Sequence, residues 1–383
     1  MTKLRGLAWD HRRCWGPLEA SVAPFCASHP GVEIAWDRRS LYEFGEGAMD
    51  VALAGYDLVI FDHPFIGEIA RDHLALPFDT YLSATDLAFF EKDSVGRSWQ
   101  SYSMDGRQWA LPIDAACHVA SCRPDLMQAH GDLPTTHDEV LDLGRRLRRD
   151  GKWLGLPLVP TDAMCLLLTL SNPKGNGGEF IGRETVERVI GELRELASLA
   201  HPKSAEWNPI RCYDHMIAHD DVLYVPFAFG YVNYASLREG PYLKFSDVPL
   251  PASAGAVLGG AGICVSARSE QREAAIDYAL FLCSPEYQRG FYVREGGQPG
   301  SLQAWQDDGA NGMSRDFFRG TLKTIQASYL RPRHPGFVIF FRETAPRVAA
   351  AVRGEITVAE LSVWINDCYR ETLPMARHRR SVA

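Results

Sequence analysis

The residues near the amino terminus that are best suited to chemistry form two short polar groups. The group Asp10-His11-Arg12-Arg13 comes directly after the apolar run Leu4–Trp9, and Asp62-His63 comes directly after Asp57–Phe61. A carboxylate accepts hydrogen bonds from hydroxyl groups or pairs with a cation, and an arginine side chain holds a carboxylate or a phosphate. The two groups therefore contain the donors and acceptors that a small polar ligand requires.

Carboxylates and aromatic rings recur later in the chain in comparable positions. Asp114 follows the extended run Trp109–Ile113, and Thr161 and Asp162 follow a strand predicted at Leu154–Pro160. Flat aromatic faces are available from Trp15, Phe61, Phe229, Tyr231, Phe340 and Phe341. One aromatic residue is more often part of a core than of a site, and an aspartate after a strand is as often a helix cap as a ligand group. Only the combination of rings, carboxylates and small polar groups therefore indicates a binding site.

The sequence lacks the motifs of several enzyme classes. It contains no P-loop, no Gly-x-Ser-x-Gly, no His-Glu-x-x-His and no dinucleotide-binding glycine motif after a strand. His11 and His63 both fall at predicted strand ends, but two histidines without a third ligand are weak evidence for a metal site. Cys117 and His118 are neighbours on an extended segment, where their side chains point to opposite faces, and this argues against a cysteine–histidine hydrolase. We expect no catalytic residues, no metal and no cofactor.

The elements that position these residues alternate between strand and helix over the first 65 positions. Strands are predicted at Leu4–Trp9, Gly31–Trp36 and Asp57–Phe61, and helices at Pro17–Ser28 and Ser40–Ala54. This order is typical of an α/β fold with a parallel sheet, in which ligands bind beyond the carboxyl ends of the strands. Later helices are predicted at Pro134–Arg149 (capped by Thr135 or Thr136), Glu184–Leu199, Ser269–Leu282, 337–352 and 357–369.

The composition excludes several classes of protein. The 383 residues have a globular composition and a length typical of two domains. The net charge of −8 argues against general binding of nucleic acid or of anionic membranes, because both require a basic surface. No apolar stretch is long enough to span a membrane. Charges interrupt the first 15 positions, so we find no secretory signal peptide after Met1, and the nine cysteines are an odd number.

Two segments of the chain carry a resemblance to a known family. Leu133-Pro-Thr-Thr-His-Asp-Glu139 is similar to its Pro-x-Thr-(Trp/Tyr)-(Asp/Glu)-Glu, and Ala274–Glu286 is similar to its helix ending in Leu-x-(Ser/Thr)-Pro-Glu. Weaker likenesses are Gly31–Asp37, Asp57–Phe61, Trp109–Ile113, Arg123–Met127, Gly296–Pro299 and Glu355–Glu360. Together they resemble the bacterial extracellular solute-binding proteins of ABC importers, in the group that includes maltose- and other sugar-binding proteins. The resemblance extends over nearly the whole chain.

This resemblance implies a two-lobed α/β fold of the periplasmic-binding-protein type (type II), with crossing strands as a hinge and a ligand cleft between the lobes. The amino-terminal lobe would comprise residues 1–113 and 258–305, and the carboxy-terminal lobe residues 114–257 and 306–383. By position, the implied ligand-binding residues are Asp10, Arg12, Trp15, Asp62, His63, Asp114, Thr161, Asp162, Phe229, Tyr231 and Phe341.

The implied function is that of the solute-binding component of an ABC importer, which binds a small polar ligand by hinge closure and performs no catalysis. A carbohydrate or polyol is favoured, because aromatic faces suit sugar rings and carboxylates suit paired hydroxyls. A cation held by carboxylates and rings, or an organic acid or phosphate ester held by Arg12 and Arg13, are the rivals. A cytoplasmic enzyme or ligand sensor with the same two-lobed fold is the alternative function.

The resemblance also sets expectations for partners and compartment. We expect a monomer that binds a small molecule, with an ABC permease as its partner if it is exported, and no nucleic acid or membrane insertion. The family implies a periplasmic location, whereas Met1 as the true start would imply the cytoplasm. We expect Asp62→Ala and Tyr231→Ala to weaken ligand binding with little change in fold stability.

Overall fold

The computed structural model describes residues 1–175, 178–236, 239–251 and 254–373. Residues 374–383 of the predicted carboxy-terminal lobe, and the gaps at 176–177, 237–238 and 252–253, lie outside the described residues. The strands are β1 (Thr2–Trp9), β2 (Val32–Arg39), β3 (Leu58–Phe61), β4 (Ser103–Met104), β5 (Arg107–Gln108), β6 (Leu111–Cys122), β7 (Trp153–Leu154), β8 (Val222–Phe229), β9 (Lys244–Ser246) and β10 (Leu258–Val265).

Most of the remaining described chain is helical. The helices are α1 (Arg12–Ser28), α2 (Leu41–Glu46), α3 (Met49–Gly55), α4 (Ile66–Asp72), α5 (Ala84–Asp93), α6 (Ser98–Ser101), α7 (Pro124–Met127), α8 (His137–Arg149), α9 (Pro160–Ser171), α10 (Arg183–Leu199), α11 (Pro209–Ala218), α12 (Arg272–Cys283), α13 (Pro285–Tyr287), α14 (Leu302–Gln306), α15 (Asp308–Met313), α16 (Phe317–Gln326), α17 (Phe337–Arg353) and α18 (Val358–Thr372). The chain divides into two compact units.

The first unit contains residues 1–116, 259–319 and 333–336. Its sheet has the order β2-β1-β3-β10, in which β1 runs parallel to β2 and to β3, and β10 runs antiparallel to β3. The sheet packs on an apolar core to which α1 contributes Phe25 and α12 contributes Tyr278. The parallel sheet expected from the first 65 residues is therefore confirmed.

The second unit contains residues 117–258, 320–332 and 337 onwards. The end of β6 pairs antiparallel with β8 and β9, and β7 pairs parallel with β8. Residues 163–168 of α9 are all buried, and this helix packs along α17. The core therefore consists mainly of helices packed on a short mixed sheet.

The strand predicted at Leu154–Pro160 is wrong. Only Trp153–Leu154 is extended, and Pro160 is the first residue of α9. Proline suits this position because its fixed φ is helical and its missing N–H is not needed in the first turn. The apolar run 163–168 is buried on every side, so it has no polar face from which a helical period could be recognised.

The grouping of residues in the structure differs from the predicted lobes at 114–116, 306–319 and 333–336, which belong to the first unit, and at 258, which belongs to the second. The largest difference is the segment 306–319. Trp305 is buried there, and its ring centre lies 5.4 Å from that of Phe318. The Asn311 side-chain N–H also donates to the Trp305 carbonyl at 2.9 Å. These contacts attach the segment to the first unit.

Two further properties concern the chain as a whole. Within the part of the chain that the structure describes, no helix is both long enough and apolar enough to cross a membrane. None of the nine cysteines, all of which lie in the described residues, forms a disulfide bond, and all of them except Cys26 are buried.

Candidate functional site

Two carboxylates stand at the same edge of the sheet of the first unit. β1 and β3 are parallel, with Gly6 opposite Leu58 and Leu7 opposite Val59. Continuing this register by three positions places Asp10 level with Asp62, each directly after its strand. The alternating sequence pattern predicted both strand ends, and the parallel register brings them to one edge.

Arg38 connects two of the predicted residues at this edge, and sequence reasoning missed it. Its guanidinium lies 3.7 Å from Asp10 Oδ1 and 4.1 Å from the centre of the Trp15 ring, and it also pairs with Glu19. The pairing of β1 with β2 places Arg39 opposite Trp9, so the end of β2 lies beside the end of β1. The position of Arg38 follows from the register of β2 against β1, and this register cannot be read from the sequence.

The start of α1 separates two arginines that the sequence treated together. Arg12 is exposed, and its guanidinium lies 3.8 Å from Glu295. Arg13 is buried and makes a two-pronged ion pair with Asp114, including Nε to Oδ2 at 2.8 Å. His11 caps the helix by accepting the Arg13 N–H at 3.1 Å, and burial, followed by the Arg13 charge, lowers the pKa of His11 to about 4. The charge of Arg13 is therefore already neutralised by Asp114.

Asp114 is buried on β6, and its backbone carbonyl lies close to Gly260 of β10. Burial raises the pKa of its carboxyl group, and the charge of Arg13 opposes that rise. Gly260 has φ +101°, and a side chain on it would collide with the Asp114 carbonyl. The glycine therefore allows β10 to approach this part of β6. Asp114, predicted to contact ligand, is fully engaged by Arg13 in this structure.

Asp62 and His63 lie together after β3. Asp62 Oδ1 is 3.2 Å from His63 Nδ1, and the Asp62 side chain is partly exposed while that of His63 has no exposed surface. The His63 ring meets the Tyr102 ring edge to face, with centres 6.5 Å apart. Asp62 is accessible to a ligand, whereas His63 supports it from inside.

In the second unit, Thr161 and Asp162 occupy the first turn of α9, and not a loop after a strand as expected. Thr161 is exposed and Asp162 is buried. In the described part of the chain, no arginine, lysine or histidine pairs with the Asp162 carboxyl group. Burial alone raises its pKa to about 8, so the group is largely protonated at neutral pH.

Phe229 is the last residue of β8, and Tyr231 follows it two positions later, directly before a short 3₁₀ helix (Val232–Tyr234). The Phe229 ring is 4.6 Å from the ring of His118, and Tyr231 is only 7% exposed. His118 is not among the residues predicted to bind ligand. Burial, followed by the charge of Arg331, lowers the pKa of His118 to about 3, and its Nδ1 is bonded to the Thr169 hydroxyl at 2.9 Å.

Phe341 differs from the other predicted residues of the second unit. It lies on α17, is 8% exposed, and belongs to the apolar core, with its ring 6.3 Å from that of Phe337. The burial of Tyr231 also changes one expectation. Removing a buried aromatic ring leaves a cavity, so Tyr231→Ala is expected to reduce fold stability by about 3–5 kcal/mol, and Tyr231→Phe is the better probe of its hydroxyl group.

The histidines at the strand ends do not assemble a metal site in the described residues. The side chains there that converge closely enough to hold an ion are His201, His215 and Asp221, and neither His11 nor His63 is among them.

Comparisons with known proteins agree on one class. A sequence model of the bacterial extracellular solute-binding protein family matches residues 20–310. The maltose-bound MalE3 of T. maritima superposes with a TM-score of 0.81 at 15% identity, covering 97% of this chain and 100% of that one. An ABC transporter solute-binding protein of Agrobacterium radiobacter in complex with ribitol gives 0.79 at 18% identity, covering 97% and 98%. The GacH receptor of Streptomyces glaucescens, solved unliganded and with acarbose, gives 0.80 at 14% identity, covering 97% and 99%.

Proposed function

Because the chain belongs to the bacterial extracellular solute-binding proteins, the solute-binding components of ABC transporters, we propose that its own ligand is a carbohydrate or polyol. The solved structures of similar fold contain maltose, ribitol, acarbose and D-mannitol, all of which are rich in hydroxyl groups. At this level of identity those structures inform the fold alone, so the choice of ligand class depends on the side chains of this chain.

The observation that carries the proposal is the state of Asp162. A buried carboxyl group with a pKa of about 8 is mostly neutral at pH 7, and a neutral carboxyl group both donates and accepts hydrogen bonds. A hydroxyl group of a sugar or polyol has the same dual character, so the two satisfy each other. A cationic ligand would instead favour an ionised carboxylate.

The position of the arginines disfavours the anionic rival. An organic acid or phosphate ester was expected to use Arg12 and Arg13 together. Arg13 is buried against Asp114, and only Arg12 has an exposed guanidinium. One exposed arginine near Glu295 does not form the paired clamp that recognises an anion.

The proposed ligand-binding residues are those predicted from the sequence, with Arg38 and His118 added as positioning residues. Asp10 and Asp62 would accept hydrogen bonds from hydroxyl groups of the ligand, and Arg38 would orient Asp10 and Trp15. Asp162, Thr161 and Tyr231 would add polar groups. Family membership supports the further proposals that ligand binding closes the protein, that an ABC permease is its partner and that it acts in the periplasm.

A thermal-shift screen tests the proposal. Sugars and polyols form one arm, quaternary and primary amines a second, and organic acids and phosphate esters a third. Any tight ligand must stabilise the folded chain, by RT ln(1 + [L]/Kd). We expect the largest increase in Tm within the first arm. A hit confined to another arm would contradict the proposed ligand class, and no hit in any arm would contradict the binding function.

The alternative of an enzyme is tested on the same ligand. We propose that the chain binds the solute and releases it unchanged, because its family consists of binding proteins. Prolonged incubation of an excess of ligand with the protein, followed by NMR of the recovered ligand, is expected to return it intact. Conversion that requires active protein would support the enzyme.

A further inference from the structure

A second cluster of polar side chains lies at the start of β8, within the second unit. Nε2 of His215, from α11, is 2.8 Å from Asp221 Oδ1. Nε2 of His201, which precedes a short 3₁₀ helix (Pro202–Glu206), is 3.4 Å from Asp221 Oδ2. One ligand atom from each of the three lies within 4.8 Å of the other two. None of the residues predicted to bind solute belongs to this cluster.

Two tryptophans hold the rings of the cluster in place. Trp207 stacks on His201 with ring centres 4.8 Å apart and 7° between the planes, and it lies 4.6 Å from the ring of His215. Trp153 meets His201 edge to face at 5.7 Å. The side chains of His201 and His215 are 12% and 13% exposed, and that of Asp221 is 37% exposed. The cluster is therefore ordered and reachable from solvent.

We propose that His201, His215 and Asp221 form a binding site for a divalent transition-metal ion of the Zn²⁺ type. Two imidazole nitrogens and one carboxylate oxygen are a donor set that suits Zn²⁺, Ni²⁺ or Cu²⁺ better than Mg²⁺ or Ca²⁺. Zn–N and Zn–O bonds of about 2.0–2.1 Å in a tetrahedron place ligand atoms about 3.3 Å apart. Nε2 of His201 lies close to this distance from Asp221 Oδ2, at 3.4 Å, and Nε2 of His215 lies nearer to the other oxygen, Oδ1, at 2.8 Å. The carboxylate therefore has to turn for one oxygen to serve both nitrogens.

The fourth position of the site is available to a side chain or to water. His219 follows His215 at the i+4 position, and its ring centre lies 4.4 Å from that of His215. His219 is the residue directly after the end of α11, and its backbone N–H donates to the His215 carbonyl at 2.8 Å. His219 is exposed, so its ring is free to rotate towards the ion.

Binding an ion replaces hydrogen bonds that exist without it. The Lys203 N–H donates to His201 Nδ1 at 3.2 Å, which places the His201 proton on Nε2, facing Asp221. For an ion to bind at Nε2, the single proton of the neutral ring shifts to Nδ1, so the hydrogen bond from the Lys203 N–H is lost.

The test is a calorimetric titration of the tag-free full chain with ZnCl₂, after treatment with EDTA and dialysis. We expect one equivalent of Zn²⁺ per chain and no comparable binding of Mg²⁺. His201→Gln, His215→Gln and Asp221→Asn are each expected to weaken binding at least tenfold. His130→Gln is the matched control, because His130 Nδ1 lies 3.8 Å from Asp150 in the same unit without a second histidine at that carboxylate. This variant is expected to bind as the unmodified chain does.

A second readout separates this site from the cysteines. Ni²⁺ bound beside Trp207 is expected to quench tryptophan fluorescence, and the quenching should disappear in His215→Gln while persisting after alkylation of accessible thiols. Circular dichroism establishes that each variant is folded. The absence of one-equivalent binding, equal binding by all three variants, or binding that alkylation abolishes would overturn the proposal. Because no predicted solute-binding residue is altered, failure here leaves the proposed solute function unaffected.

Discussion

The Asp162 carboxyl group links stability to pH. In the folded chain burial raises its pKa to about 8, whereas an aspartate in an unfolded chain titrates near 3.9. Between these two values the folded state retains a proton that the unfolded state has released. The free energy of unfolding therefore decreases as pH rises from about 4 to about 8. The buried acid costs stability at neutral pH, which is typical of a residue retained for binding.

We predict that Asp162→Asn increases the free energy of unfolding, because an amide has no charged form to desolvate. The gain is expected to be near zero at pH 4 and to grow towards pH 8, as measured by urea denaturation. The same variant is expected to weaken solute binding. Asp138→Asn, an exposed aspartate in the first turn of α8, is the control and should give no such gain. A gain that does not depend on pH would contradict the explanation.

The buried pair Arg13–Asp114 gives a second prediction. Arg13→Met leaves an uncompensated carboxylate in the core, so it is expected to cost about 3–5 kcal/mol in urea denaturation at pH 7. The double variant Arg13→Met/Asp114→Leu removes both charges and should recover much of that loss. Arg145→Met breaks an exposed pair with Asp142 and should cost less than about 1 kcal/mol. Equal losses in the single and double variants would show that packing, and not charge, is responsible.

The sequence predicted the strand ends that carry Asp10 and Asp62 better than it predicted the partners of the candidate site residues. Asp10 and Asp62 follow strands whose apolar runs are visible in the sequence, and the structure places them level with each other. The partner of Asp114 was not predictable, because Arg13 lies 101 residues away and the pairing depends on tertiary packing. Arg38 was missed for a similar reason, since its position follows from the register of β2 against β1.

At the scale of elements, local signals were sufficient to predict those helices whose first turn contains its own capping residues. α8 begins with a capping box, in which Thr136 accepts the Glu139 N–H and the Glu139 side chain accepts the Thr136 N–H. Thr357 and Glu360 do the same for α18, and Ser40 caps α2 as expected. These bonds are local, so their residue types can be recognised in the sequence. α9 has no side-chain cap, and its buried run 163–168 has no polar face, so this helix was not predicted; the strand predicted at Leu154–Pro160 reaches only its first residue.

We predict that Thr136→Ala reduces the free energy of unfolding by about 1 kcal/mol, because the Glu139 N–H loses its acceptor. Thr136→Ser retains a hydroxyl group at the same position and should be nearly neutral. Urea denaturation of both variants measures the difference. Equal losses would contradict a capping role and would assign the effect to the threonine methyl group.

At the scale of the whole molecule, this chain shares its fold with proteins whose sequences are very different from its own. Solved solute-binding proteins at 14–18% identity cover 97% of this chain with TM-scores near 0.8. Hydrophobic patterning tolerates such divergence as long as volume and period are kept. Such divergence also explains why fold class and family were predictable from segments, whereas the ligand depends on a few side chains that patterning does not specify.

The central claim is that one carbohydrate or polyol binds through polar side chains among the predicted ligand-binding residues. Calorimetric titration of the best sugar or polyol from the screen tests it directly, with the variants Asp62→Asn and Tyr231→Phe. We predict one equivalent per chain and at least tenfold weaker binding in each variant, with an unchanged Tm without ligand. Asp132→Asn and Tyr81→Phe, at exposed positions outside the predicted site, should bind normally. Unaltered affinity in both site variants would contradict the account.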